Sequence, residues 1–230
     1  MSIASFYCPE LQLNDVSVEL DSSEAAHAVK ARRLRHGDDV RLFNGNGVSA
    51  LGHLSTVERR HVVVELDSFS QHEAPQFCLS IAVAIPKGDR QKVLVDMLTQ
   101  LGIFEIIPLC CDRSVTKFSK NTIEKWQRGA IEACKQSQNP WLPKFVNEAS
   151  LDDLLKDSSR TLYYADASGA NLKSFSNTSS NITLIIGPEG GFSPREFDLL
   201  EQACIPSFKV GPYILRTEAA AIAAASAFIA

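Results

Sequence analysis

From residue 77 onward, short apolar segments alternate with helical segments, and this alternation constrains the fold more than any other feature of the chain. The segment FCLSIAVAI (77–85) is nearly continuous in apolar residues, which is typical of a strand covered on both faces. Further strands are predicted at FEIIPL (104–109), LYYAD (162–166), ITLIIG (182–187) and FKVG (208–211). Helices are predicted at about 88–101, 120–137, 194–203 and 216–229. Strands that alternate with helices indicate an α/β fold with a parallel sheet.

The residues before this region predict a small β-rich barrel or sandwich with one helix. Its strands are predicted at 16–20, 39–43, 48–55 and 61–69, and its helix at 22–34. The sequence NGNG (44–47) lies between two of these strands and is a strong turn signal. Because SQHEAPQ (70–76) is polar and contains Pro75, we interpret it as a linker. The chain is therefore expected to form two domains, 1–73 and 74–230.

Composition and charge indicate a soluble protein of the cytoplasm. The 230 residues are 45% hydrophobic and carry a net charge of −4, which excludes a generally basic nucleic-acid coat but not a local basic patch. The start MSIASFYCPE lacks the pattern of a secretory signal, and the apolar run 219–230 would extend only about 18 Å as a helix, too short for a bilayer. The six cysteines show no C-x-x-C spacing and the five histidines are scattered, so we expect reduced thiols and no metal site.

A glycine-rich loop, GPEGGFSPRE (187–196), follows the predicted strand 182–187. Ser193 with Glu196 matches a capping box, and Pro194 suits the first position of the next helix. The loop glycines allow close approach of a ligand to the backbone; they are Gly187, Gly190 and Gly191. Open α/β sheets bind ligands at the carboxyl ends of their strands, which is where this loop is placed.

The loop fits neither of the common nucleotide-binding patterns. It has no G-x-x-x-x-G-K-[ST] and no G-x-G-x-x-G, and Glu189 would repel a phosphate. A cationic or neutral ligand fits better, although a tight turn without a ligand remains the alternative. A second element, VGPYILRTEAAA (210–221), repeats the arrangement of strand, Gly-Pro loop and helix, with Arg216 and Glu218 at the turn into the helix.

The segments LIIGPEGGFSPREF and VGPYILRTEAAA resemble the two characteristic segments of the RsmE-type rRNA methyltransferases of the SPOUT class. Other similar segments lie in register along nearly the whole chain: FYCPE, LRHGDDV, LFNGNG, KGDR (87–90), LGI and IIPL (101–109), RSV (113–115) and AIEACKQS (130–137). The resemblance implies a PUA-like RNA-binding barrel followed by a SPOUT domain with a deep trefoil knot. It also implies a homodimer that transfers a methyl group from S-adenosylmethionine to N3 of a uridine in 16S rRNA of the small ribosomal subunit.

The resemblance assigns the cofactor to three segments of the second domain. The residues are Tyr164, Ala165, Asp166, Gly187, Pro188, Glu189, Gly190, Gly191, Val210, Gly211, Ile214, Leu215, Arg216 and Ala219. A positive sulfonium suits a loop that contains Glu189. Leu215 and Ile214 remain open to interpretation as core residues, and Glu218 as a charge favoured at a helix start.

Methyl transfer to uracil N3 places negative charge on the ring and its oxygens, so a nearby cation stabilises the transition state. Arg216, beside the cofactor loop, is the candidate catalytic residue; alternatively it only pairs with Glu218 or Glu189. No general base stands out. RNA phosphates are expected to contact a basic cluster and three further cations: Lys30, Arg32, Arg33, Arg35, Lys87, Arg90 and Arg113. A solvated charged surface is the alternative for these residues.

Several positions depart from the pattern of the RsmE-type enzymes. Ser5, Asn139 and Tyr213 stand where that pattern usually has arginines. Other departures are Met97, Gln100 and Ala219. Since the cofactor-loop residues match better than the polar groups expected to face RNA, an alternative function is an RNA-binding protein of SPOUT type with lost or altered methyltransferase activity.

Overall fold

The computed structural model describes residues 3–75, 77–171 and 180–229, which form two units. Unit 1 comprises residues 1–74 and 131–142, and unit 2 comprises 75–130 and 143–230. The sequence-based division placed 131–142 in the second domain. In the structure this segment belongs to unit 1, where Gly47 N donates to Pro140 O (3.1 Å) and Leu142 N donates to Gly45 O (2.9 Å).

Unit 1 contains a five-stranded sheet. Its strands are β1 (Ala4–Tyr7), β2 (Ser17–Glu19), β3 (Asp39–Phe43), β4 (Val48–Val57) and β5 (Val62–Gln71), in the spatial order β1-β3-β4-β5-β2. The β1–β3 pair is parallel and the other pairs are antiparallel. A helix, α1 (Ser22–Ala26), continues into a π-helical turn, His27–Ala31. The β-rich prediction and the turn between β3 and β4 are confirmed, but β1 was missed and β5 extends into the expected linker.

One face of this sheet holds the core of unit 1. Val40, Leu42 and Leu54 are fully buried there together with Phe6. Residues between them point to the opposite face, because side chains alternate along a strand. Arg41, which lies between Val40 and Leu42, is only partly buried on that opposite face.

Unit 2 alternates strands and helices. Its elements are β6 (Cys78–Ala84), α2 (Arg90–Gln100), β7 (Glu105–Cys110), α3 (Lys120–Ser137), β8 (Lys144–Phe145), β9 (Ala149–Ser150), α4 (Leu151–Lys156), β10 (Thr161–Asn171), β11 (Asn181–Ile186), α5 (Pro194–Gln202), β12 (Ser207–Lys209) and α6 (Thr217–Ile229). The last residues of α3 belong to unit 1. The short elements β8, β9 and α4 were not predicted.

The sheet of unit 2 has the order β12-β10-β11-β6-β7-β8, with β9 also paired to β7, and every pairing is parallel. The predicted α/β class is therefore confirmed, whereas the threading of a knot stays a prediction. Parallel strands point in the same direction, so the carboxyl ends of β12 and β11 lie on either side of β10. Gly169 permits this close approach, because a Cβ there would lie 2.7 Å from the Phe208 backbone. In the described part of the chain, no helix has the length and hydropathy needed to cross a membrane.

Candidate functional site

A cavity of about 370 Å³ opens beside the carboxyl ends of β11 and β12 and the middle of β10. β10 contributes Ala165, Asp166 and Ala167, which directly follow its residues paired with β11, and the loop after β11 contributes residues 187–192. The segment after β12 and the first turns of α6 close the third side, from Lys209 to Ala220. The volume lies in the range of about 300–1,000 Å³ that is usual for small-molecule sites.

The loop after β11, residues 187–192, is shaped by its glycines and by a helix start. Gly191 has φ +67° and its N–H donates to Pro188 O at 2.8 Å, which forms a tight turn. The capping box is present: Glu196 N donates to Ser193 Oγ (3.2 Å), and Ser193 N donates to the Glu196 carboxylate (2.7 Å). The loop therefore enters α5 in a defined direction.

Side chains from two other elements hold this loop from outside. Thr217 Oγ1, at the start of α6, donates to Gly187 O at 3.3 Å. Arg113, which follows β7, donates through Nη1 to Gly190 O (3.0 Å) and Phe192 O (3.1 Å). Carbonyl groups that would otherwise need water are thereby satisfied, and their orientation is fixed.

An arginine connects the loop to α6 through carboxylates. Arg90, the first residue of α2, forms an ion pair with Glu189, and its Nε lies 3.9 Å from Glu218 Oε1. Glu218 is 9% exposed, and its Oε2 has no hydrogen-bond partner among the described residues. Arg90 thus offsets the charge of the two carboxylates that border the loop.

Most of the residues assigned to the cofactor line this one cavity. They are Ala165, Asp166, Gly187, Pro188, Glu189, Gly190, Gly191, Val210, Gly211, Ile214 and Leu215. Three others are not among the lining residues: Tyr164, Arg216 and Ala219. Tyr164 is instead 8% exposed and packs in the core against Phe192 and Phe197, because alternation along β10 turns its side chain inward.

Arg216 is exposed at the start of α6. The sequence alternative paired it with Glu218 or Glu189, but in the structure both carboxylates lie beside Arg90. Within the described residues, Arg216 itself forms no ion pair.

The cavity also contains residues that sequence reasoning missed. Phe192, Phe197, Phe208 and Lys209 line it, as does Tyr213. Phe197 and Phe208 lie within a predicted helix and a predicted strand, so their pattern indicates only that they are buried, whereas Phe192 and Tyr213 lie in the two loops. Asp166 is oriented by Ser168, whose N–H donates to its carboxylate at 2.7 Å.

The residues predicted to contact RNA fall into two groups. The cluster on and after the π-helical turn is exposed and forms no ion pair within the described part of the chain: Lys30, Arg32, Arg33 and Arg35. Lys87 is also exposed. Arg90 and Arg113, by contrast, are engaged with the cofactor loop, as described above.

The chain matches two family models. An RNA methyltransferase domain matches residues 72–229, and an RNA methyltransferase PUA domain matches residues 20–67. The chain is 35% identical over 218 residues to the ribosomal RNA small subunit methyltransferase E of Rickettsia conorii, which covers 90% of this chain and 87% of that protein.

Two solved structures have the same fold. A protein from Legionella pneumophila, described as a methyltransferase and solved in complex with the cofactor SAM, has a TM-score of 0.90 at 27% identity. The match covers 98% of this chain and 96% of that protein. A ribosomal RNA small subunit methyltransferase E from Neisseria gonorrhoeae has a TM-score of 0.90 at 24% identity, covering 99% of this chain and 97% of its own.

Proposed function

The chain belongs to the ribosomal RNA small subunit methyltransferase E family, and from this membership we propose that it transfers a methyl group from S-adenosylmethionine to N3 of a uridine in 16S rRNA. The observation that carries the proposal is that three neighbouring strands and their following segments line one cavity. The cavity combines exposed backbone with carboxylates. Nearly the whole chain is similar to the Legionella pneumophila protein that was solved in complex with SAM.

The cavity fits S-adenosylmethionine in size and charge. Asp166 and Glu189 place carboxylates at its wall. Because Arg90 pairs with Glu189, it is mainly the charge of Asp166 that suits a positive sulfonium better than a phosphate. The loop 187–191 offers backbone N–H and C=O groups, and Phe192 and Leu215 offer apolar surface. When bound, the cofactor supplies an electrophilic methyl group.

Arg216 is proposed to stabilise the uracil during transfer. Negative charge develops on the ring oxygens as N3 loses its proton, and a positioned guanidinium lowers the energy of that state. Arg216 lies at the end of the segment that lines the cavity, is exposed and has no ion-pair partner in the described residues. These features support a contact with substrate rather than with cofactor.

Residues 1–73 are proposed to bind the rRNA and residues 74–230 to catalyse the transfer. The exposed cations of the segment 30–35 supply phosphate contacts that increase affinity without reading sequence. Lys87 is proposed to extend this contact in the second domain. Since the substrate is part of the ribosome, we place the protein in the cytoplasm.

A homodimer formed by the second domain is also proposed. Tyr213 and Ile214 are 84% and 91% exposed, and α2 and α6, which pack together, expose Val93, Met97 and Ile229. A contiguous exposed apolar patch marks a surface that another protein covers, and we propose that these side chains form one. Sedimentation of the full chain tests this: a species of one subunit's mass across the concentration range would contradict it.

Nucleoside mass spectrometry after reaction with labelled S-adenosylmethionine and 16S rRNA tests the proposed activity. We expect labelled N3-methyluridine. Cofactor binding without any methylated nucleoside would support the alternative, an RNA-binding protein of the same fold with lost activity, for which the exposed Tyr213 in place of an arginine is the favouring observation. A different methylated nucleoside would refute the N3 assignment.

A further inference from the structure

A second cavity, of about 470 Å³, lies within unit 1 on the sheet face that carries Arg41. Its lining includes Arg41, Ser49, Leu51, Ser70, His72 and Gln138. Arg41 pairs with Leu51 across the β3–β4 ladder, and Ser49 lies two residues before Leu51. Since residues two apart point to the same face, these side chains share one surface. We name this the Arg41 cavity.

The Arg41 cavity is lined by a cation, whereas carboxylates line the first cavity. Its lining contains no aspartate or glutamate, and Arg41 has no ion-pair partner within the described residues. Arg41 Nη2 donates to Gln138 O at 3.1 Å, whereas the buried Nη1 has no hydrogen-bond partner there. A buried guanidinium nitrogen without an acceptor is costly, so an anionic oxygen is the ligand that this site favours.

The rest of the lining suits the other parts of a nucleotide. His72 and Ser49 are joined by a hydrogen bond of 3.1 Å between Nε2 and Oγ, and Ser70 adds a hydroxyl. Leu51, which is 45% exposed, and Ile3, which is 46% exposed, provide aliphatic surface. Single-stranded RNA is recognised through phosphate contacts, hydrogen bonds to base edges and stacking of bases on rings such as that of the exposed His72.

Arg41 also lies beside the two positions of unit 1 at which this chain lacks the arginine expected from the resemblance. Ser5 is the direct partner of Arg41 in the parallel β1–β3 ladder, so both point to the same face. Gln138, which accepts the Arg41 hydrogen bond, directly precedes Asn139. Arg41 therefore supplies a guanidinium close to both positions, although it occupies neither of them.

We propose that the Arg41 cavity binds one nucleotide of the RNA substrate, with Arg41 donating to a backbone phosphate and the hydroxyl and aliphatic side chains contacting the ribose and base. This inference rests on the proposed function, because it names a contact of the same RNA. It differs from the cluster 30–35 in being a concave site for one nucleotide.

Binding of the full chain to 16S rRNA transcribed in vitro tests the inference. Arg41→Ala should weaken binding about tenfold and reduce the salt dependence, the slope of log K against log salt, by about one. Arg59→Ala is the matched control, because Arg59 is exposed in the β4–β5 turn of the same unit and does not line the cavity. Arg41→Lys keeps the charge, so its salt slope should equal that of the wild type.

The outcomes separate this inference from the proposed function. If Arg41→Ala and Arg59→Ala bind RNA equally well, the inference is wrong while the activity stands. If the wild type binds S-adenosylmethionine but no rRNA, the proposed function itself fails. If Arg41→Ala impairs binding to intact small subunits but not to protein-free rRNA, a ribosomal protein contacts the cavity, and the nucleotide assignment is wrong. Unchanged thermal unfolding of Arg41→Lys shows that its binding data report contact rather than misfolding.

Discussion

Replacing Gly187 by alanine tests whether the loop 187–192 must keep its shape to hold a cofactor. A Cβ at Gly187 would lie 2.9 Å from Cζ of Phe192, with two further ring carbons at 3.1 and 3.2 Å. Phe192 is 3% exposed, and its ring centroid lies 5.8 Å from that of Phe197, so it has little room to withdraw. Relief of this contact must therefore come largely from movement of the loop.

The expected loss of affinity follows from the cost of overpacking. Inserting a methyl group into a packed site costs about 1–3 kcal/mol, and a tenfold change in affinity corresponds to about 1.4 kcal/mol. If the strain is relieved by displacing the loop, Gly187→Ala should weaken S-adenosylmethionine binding about 5- to 150-fold in a calorimetric titration.

Gly129→Ala is the matched control for this substitution. Its Cβ would lie 3.6 Å from the Val95 side chain, which is ordinary van der Waals contact, and Gly129 does not line the cavity, so the affinity should be close to that of the wild type. Combining Gly187→Ala with Phe192→Leu should restore binding, because the smaller side chain leaves space. Equal affinities of the Gly187→Ala and Gly129→Ala proteins would refute the reasoning.

Three further predictions concern side chains outside this contact. Arg216→Ala should lower turnover far more than S-adenosylmethionine affinity, since Arg216 is exposed outside the cavity lining; equal losses in single-turnover and binding measurements would contradict a role in the transition state. Arg113→Ala should weaken S-adenosylmethionine binding because two carbonyls of the loop 187–192 lose their donor, and an unchanged dissociation constant would exclude this role. Burial raises the pKa of Glu24 above its ordinary value of 4.5, so the stability that its protonated form contributes is lost as the pH rises above 4.5. The melting temperature of the wild type should then fall more steeply above that pH than that of Glu24→Gln, and parallel curves would show that pairing with Lys135 offsets the burial.

The parallel sheet of unit 2 could be predicted because its strands are long apolar runs separated by helices. The capping box of Ser193 and Glu196 could also be predicted, since it depends only on local spacing. By contrast, β8 and β9 have two residues each, too few for any periodicity to appear. Their position depends on tertiary pairing with β7.

The ion pairs of the site were harder to predict from the sequence than the course of its backbone. Arg90 was interpreted as an RNA contact because nothing local shows that it faces Glu189, which is 99 residues away. Residues 131–142 were placed with the second domain for a similar reason. Their hydrogen bonds to Gly45 and Gly47 depend on a contact between distant parts of the chain. Local sequence patterns predict helices and strands, whereas contacts between residues far apart in the chain are seen only in the three-dimensional structure.

A crystal structure of the protein in complex with S-adenosylmethionine tests the central claim most directly. The account predicts that the cofactor lies between the loop 187–191 and the segment 210–215, with its sulfonium toward the wall formed by Asp166 and Glu189. Binding at any other place, or displacement of these segments from each other in the complex, would contradict it.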